Sequence, residues 1–178
     1  MLADVFQEGN NNESIIDQVS NNKYLQEAFI DQRGDYNFAK INQPGRNAEG
    51  YINQDGYDNT AEIHQNYKKN KNETKKKLDG YINQAGNDNS AYINHSMKSF
   101  GYSYAGIMQD GNDNNASIEQ HQDNGDFYGS DSSSGEWAVI SQIGDQNDAD
   151  INQNGLYNEA IINQNGNNNI SEVIQASN

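Results

Sequence analysis

The chain has 178 residues, 26 of them acidic against 11 basic, giving a formal net charge of -15 and a mean hydropathy of -1.09. Bulk charge excludes a nucleic-acid surface, and 33% hydrophobic residues are too few for a thick globular core, so this composition reads as disorder unless something else holds the chain. There is no cysteine for a disulfide or thiolate metal site, no run of the ~20 apolar residues that a membrane span needs, and no leader pattern at Met1-Leu2-Ala3-Asp4-Val5, so secretion implies a signal removed before this numbering.

One word recurs along the chain. It first appears as Gln7-x-Gly9-x-x-Asn12, leading on to Gln18. The second copy is longer on both sides: Ala28-x-Ile30-x-Gln32-x-Gly34-x-x-Asn37-x-Ala39-x-Ile41-x-Gln43. The third, Gly50-x-Ile52-x-Gln54-x-Gly56-x-x-Asn59-x-Ala61-x-Ile63-x-Gln65, repeats it closely. The fourth, Gly80-x-Ile82-x-Gln84-x-Gly86-x-x-Asn89, ends with His95 where the others have Gln. Gln109-x-Gly111-x-x-Asn114 continues to Gln120, Gln142-x-Gly144-x-x-Asn147 to Gln153, and Gln164-x-Gly166-x-x-Asn169 to Gln175. Period-2 alternation on both sides of each glycine predicts strand, turn, strand. The tight reversal wants a positive φ, which glycine adopts without a Cβ clash.

From Gly9 to Gly166 successive glycines lie 25, 22, 30, 25, 33 and 22 residues apart, so the base period is 22. The excess residues all fall after the second strand of a unit. One all-β domain over residues 1–178 follows: a β-solenoid of about seven stacked two-strand rungs, amyloid-like, with inserts at about 19–27, 66–79, 96–104 and 121–137 on one edge. Pro44, the sole proline, falls on that decorated edge, where no ladder bond is needed.

Stacked in register ~4.8 Å apart, the inward residues form columns: Ile and Val a thin dry core, Gln and Asn amide ladders in which each side chain finds a partner above and below. The candidate ladder residues are Gln7, Gln32, Gln54, Gln84, Gln109, Gln142 and Gln164; Asn12, Asn37, Asn59, Asn89, Asn114, Asn147 and Asn169; and Gln18, Gln43, Gln65, Gln120, Gln153 and Gln175. The turn glycines are Gly9, Gly34, Gly56, Gly86, Gly111, Gly144 and Gly166.

Other features offer weaker signals. Lys68, Lys69, Lys71, Lys75, Lys76 and Lys77 crowd the second insert beside a single acid, Glu73, and read either as a docking loop for an acidic neighbour or as a solvated loop. Asp35, Asp58, Asp88, Asp113 and Asp145 recur beside the turn glycines but at two different positions, which suits charge spacing better than a Ca2+ row, so no cofactor or metal is expected. Phe29, Tyr51 and Tyr81, with Val139 and Ile161 beyond, form an outward stripe that reads as cross-strand stabilisation, a lateral contact or a ligand platform. His64, His95 and His121 fall outward, inward and in a loop, so no catalytic set assembles and no enzyme is expected.

The repeated Gln-x-Gly-x-x-Asn-x-Ala word, spaced as above, resembles the curlin repeat of bacterial curli fibre subunits. Ser103 before Gln109 keeps the serine that opens the family's pattern, most other units lack it, and His95 interrupts a Gln column. The resemblance implies a subunit, major or minor, of an extracellular functional-amyloid fibre of the biofilm matrix. It would assemble with itself through its terminal rungs, with other curlin subunits and a secretion pore as further partners, and neither bind nucleic acid nor insert in a membrane. The sequence adds a physical reason: no cap follows or precedes the end rungs, so each offers the edge that the other completes. Outward Asp31, Lys40, Glu62 and Glu172 would restrain sideways aggregation. A nucleator of the fibre and a monomeric solenoid that binds glycan or ice are the alternatives.

Overall fold

The computed structural model describes residues 1–19, 25–45, 47–67, 77–97, 102–122, 135–155 and 157–177. Within them the chain is all β, in fourteen strands. These are β1 (Leu2–Glu8), β2 (Glu13–Gln18), β3 (Gln26–Asp35), β4 (Phe38–Gln43), β5 (Ala48–Tyr57), β6 (Thr60–Tyr67) and β7 (Lys77–Asn87), followed by β8 (Ser90–Met97), β9 (Tyr102–Asp110), β10 (Asn115–Gln122), β11 (Glu136–Ile143), β12 (Asp148–Asn154), β13 (Glu159–Asn165) and β14 (Ile170–Ala176). Odd strands make one seven-stranded sheet and even strands the other, each in chain order. Every pairing is parallel. Each odd–even pair is therefore one rung of a solenoid, and each rung stacks on the one before.

Register is set by identity. Ile30 lies over Ile52, then Ile82, Ile107, Ile140 and Ile162 in the odd sheet. In the even sheet Ile41, Ile63, Ile93, Ile118 and Ile151 do the same. All are at most 5% exposed and pack with the Ala columns into one core. A one-residue slip would turn this whole set to solvent, which is why the alternation pins the pairing. The small column is required because the two sheets interdigitate: a Cβ on Gly50 would meet Ile41 Cγ2 at 2.9 Å, and one on Gly80 would meet Ile63 Cγ2 at 2.9 Å.

At the uniform edge the seven turn glycines all have positive φ, from 95° at Gly34 to 140° at Gly56. Two residues later, Asn11, Tyr36, Asp58, Asp88, Asp113, Gln146 and Asn168 adopt the left-handed conformation as well. At the decorated edge the strands reach further than the sequence suggests. β6 runs to Tyr67, β8 to Met97 and β10 to Gln122, while β7, β9 and β11 begin at Lys77, Tyr102 and Glu136, inside the expected insert bounds. The extension makes a second small apolar cluster of Ala48, Tyr67, Leu78 and Met97. It also corrects His121, which belongs to β10, on its outward side, and not to a loop.

Candidate functional site

The inward amides are tied into polar columns. Along the odd sheet each Gln Nε2 donates to the Oε1 of the next rung: Gln7 to Gln32 at 2.7 Å, then Gln32 to Gln54, Gln54 to Gln84, Gln84 to Gln109, Gln109 to Gln142 and Gln142 to Gln164, each at 2.9 Å. From Gln32 on, the same nitrogen also donates to a carbonyl of the opposite sheet, as Gln54 does to Phe38 O at 3.0 Å and Gln84 to Thr60 O at 3.0 Å, while Gln7 Nε2 donates to Ser14 Oγ. Both amide protons are thus used, and the ladder clamps the sheets together as well as the rungs.

The even sheet carries a second ladder: Gln18 to Gln43, Gln43 to Gln65, Gln120 to Gln153 and Gln153 to Gln175, each at 2.9 Å. His95 breaks it. By register it lies between Gln65 and Gln120, fully buried, and neither ring nitrogen has a hydrogen-bond partner. Burial lowers its pKa to about 3, with Gln120 opposing only in part. The neighbours compensate elsewhere: Gln65 Nε2 donates to Glu49 O and Leu78 O, both at 2.9 Å, and Gln120 Oε1 accepts Ser103 Oγ at 2.7 Å. Ser103 therefore satisfies the acceptor that His95 leaves open.

The Asn column lines the uniform edge and runs with opposite polarity. Both the backbone N–H and Nδ2 of Asn37 donate to Asn12 Oδ1, at 2.9 and 3.2 Å, and the pattern repeats through Asn59, Asn89, Asn114, Asn147 and Asn169. From Asn12 to Asn114 each Nδ2 also reaches the carbonyl of the next turn glycine, as Asn59 does to Gly86 O at 2.8 Å.

A further polar column, beside the glycine, escaped the sequence reading. Asp35 Oδ1 accepts Asn10 N at 2.7 Å, Asn87 Oδ1 accepts Tyr57 N at 3.1 Å, Asn112 Oδ1 accepts Asn87 N at 3.0 Å, Asp145 Oδ1 accepts Asn112 N at 2.8 Å and Asn167 Oδ1 accepts Asp145 N at 2.8 Å. The signal was the run of Asn and Asp directly after the glycine. It also explains two of the turn acids: Asp35 and Asp145 serve backbone amides, while Asp58, Asp88 and Asp113 hold the left-handed position. Among the described residues no group of three or more His, Cys, Asp or Glu could hold a metal ion.

Of the basic cluster, Lys68, Lys69, Lys71, Lys75 and Lys76 lie outside the described residues. Lys77 opens β7 and is engaged within its own subunit, 2.6 Å from Glu49 and 3.2 Å from Asp79. His64 and His121 stand on the outer face of the even sheet and line a groove of about 420 Å³ with Lys40, Glu62 and Tyr92, while His95 is buried inside, so the three do not converge.

The outermost rungs leave complementary groups. At the first rung nothing among the described residues donates to Gln7 Oε1 or Gln18 Oε1, and Val5 is 45% exposed. At the seventh, Gln175 Nε2 donates only to Glu159 O among the described residues, Gln164 Nε2 donates to Asp148 O at 2.9 Å and to Ser171 Oγ at 3.2 Å, nothing among the described residues donates to Asn169 Oδ1, and Val173 is only partly buried. Inside the stack these same atoms pair Gln Nε2 to Gln Oε1 and Asn N–H to Asn Oδ1. A second copy placed with its first rung on the seventh rung of this one would continue every ladder with its polarity unchanged.

Residues 144–176, the last complete rung and its approach, match the curlin associated repeat family. No curated protein and no solved structure matches the chain.

Proposed function

We propose that this chain, which carries a curlin associated repeat at residues 144–176 and six further copies of the same word before it, is a structural subunit of an extracellular, curli-type amyloid fibre. The observation that carries the reading is the matched polarity of the two outer rungs. Gln175 offers a donor where Gln18 offers an acceptor, Gln164 can exchange its long 3.2 Å bond to Ser171 Oγ for the acceptor of Gln7, and Asn169 offers an acceptor where Asn12 offers its N–H. A head-to-tail contact of that kind does not close on itself and gives a filament. The growing junction buries Val5 and Ile16 against Ile162 and Val173, so it combines apolar burial with at least three satisfied ladders. Fibres of this sort suit a matrix that holds cells to one another and to surfaces, outside the cell where the subunit is secreted. The chemistry is structural, not catalytic.

The test is direct. Purified chain at micromolar concentration should form fibres with a meridional reflection at ~4.8 Å, and sonicated fibres should seed fresh protein. A monomer that stays soluble and never responds to seeds would sink the reading. Replacing Gln164 and Asn169 together by Ala should slow elongation; unchanged kinetics would show that the amide columns do not drive the junction.

A further inference from the structure

The outward face of the odd sheet carries a continuous aromatic run that the stack does not need. Phe29, Tyr51 and Tyr81 lie one over another, with ring centroids 5.7 Å apart at both steps. The next residue in that column is Gly106, and the run steps sideways to Tyr104, which stacks on Trp137 at 4.4 Å and 22°. Gly106 makes the step possible: a Cβ there would sit 3.0 Å from the Tyr104 hydroxyl. Five successive rungs, from β3 to β11, thus present rings along roughly 19 Å of the stack axis at strand spacing. They are not covered. Tyr51 and Trp137 are 44% and 42% exposed, and Phe29, Tyr51, Tyr81 and Tyr104 line a groove of about 280 Å³ that ends at Tyr104, beside Trp137.

One margin of the groove is polar. Glu49 and Asp79 line it, and both are steadied by Lys77, with the Tyr102 hydroxyl donating to Asp79 Oδ2 at 2.7 Å. A flat apolar floor with fixed acceptors on one side recognises a ligand that has C–H faces and hydroxyl edges. The charge narrows the choice. A net charge of -15 repels nucleic acids and anionic polymers, and a second copy laid face to face would set Glu49 and Asp79 against like charges. A neutral partner meets no such penalty.

We infer that the stripe Phe29–Tyr51–Tyr81–Tyr104–Trp137 is a binding platform for a neutral, linear polysaccharide lying along the stack axis. The site needs only one subunit, so it stands whether or not the chain forms fibres, and in a fibre it would recur at every subunit.

Trp137 is the only tryptophan of the chain and reports on the site directly. Cellohexaose and chitohexaose, titrated into freshly purified soluble chain, should change its fluorescence saturably and release heat in calorimetry. Tyr51→Ala and Tyr81→Ala should each weaken binding about tenfold. Tyr51→Phe, which keeps the ring, should bind nearly as the parent does, and circular dichroism of all variants should retain the β signature. An oligomer of an anionic uronic acid should not bind. The inference falls if neither neutral hexaose binds at millimolar concentration, or if the Ala variants bind like the parent. It falls equally if the hexaoses leave Trp137 unchanged while the Ala variants lose side-by-side bundling of fibres, because the stripe would then be a contact between copies. Seeding assays on the same variants separate this result from any failure of fibre formation.

Discussion

His95 and Glu136 are buried groups whose charge the stack disfavours, and they act in opposite directions with pH. His95 titrates near 6.5 when unfolded but is held down to about 3 by burial, so the unfolded chain binds a proton the folded one refuses, and stability falls as pH drops from 6.5 towards 3. Replacing it with Gln should restore the ladder between Gln65 and Gln120. We expect a gain of about 1–3 kcal/mol near neutral pH and a flatter acid limb, read by thermal or denaturant unfolding of the soluble chain. Glu136 is only 1% exposed, burial raises its carboxyl to about 8, and neither carboxyl oxygen has a hydrogen-bond partner. Its neutral form is the one that folds, so its stability contribution is full below 4.5 and is lost as pH rises through 8. Glu136→Gln should remove that decline; an unchanged alkaline limb would show that the carboxyl is solvated.

At the scale of the strand and turn, the glycine column is the least replaceable feature. Gly86 has φ 110°, and a Cβ there would overlap the carbonyl oxygen of Gly111 in the next rung, the same oxygen that accepts Asn89 Nδ2 at 2.8 Å. Gly86→Ala should therefore open both the turn and the Asn column. Hydrogen exchange would report faster exchange in β7 to β10, whereas protection equal to the parent would show that the turn can relax. Strand length is where the sequence misled. The alternation after Gln65, His95 and Gln120 looks finished because a polar insert follows, yet β6, β8 and β10 each take two more residues. Tyr67 and Met97 are held in the strand by packing with Ala48 and Leu78 of the facing sheet, across two adjacent rungs, a contact that no local pattern announces.

For the whole molecule, polarity is the property to test. If Gln7→Lys and Gln18→Lys are introduced together, the first rung presents charge where the ladders need acceptors, while the seventh rung is untouched. Such a chain should dock on the exposed first rung of a growing fibre and stop growth there, leaving the other end free. Imaging of labelled seeds would then show elongation from one end alone; growth from both ends would rule out ladder continuity as the driving contact. The sequence by itself determined the rung count, the register and the identity of the inward columns, because a period of 2 around a fixed glycine allows one facing only and the 22-residue base makes like residues stack. The tertiary structure alone decided the direction of each ladder, the opposite run of the Asn column, the Ser103 answer to His95 and the sideways step of the aromatic run. These depend on which atom of an amide or ring faces which neighbour in three dimensions, and residue order carries no record of that orientation.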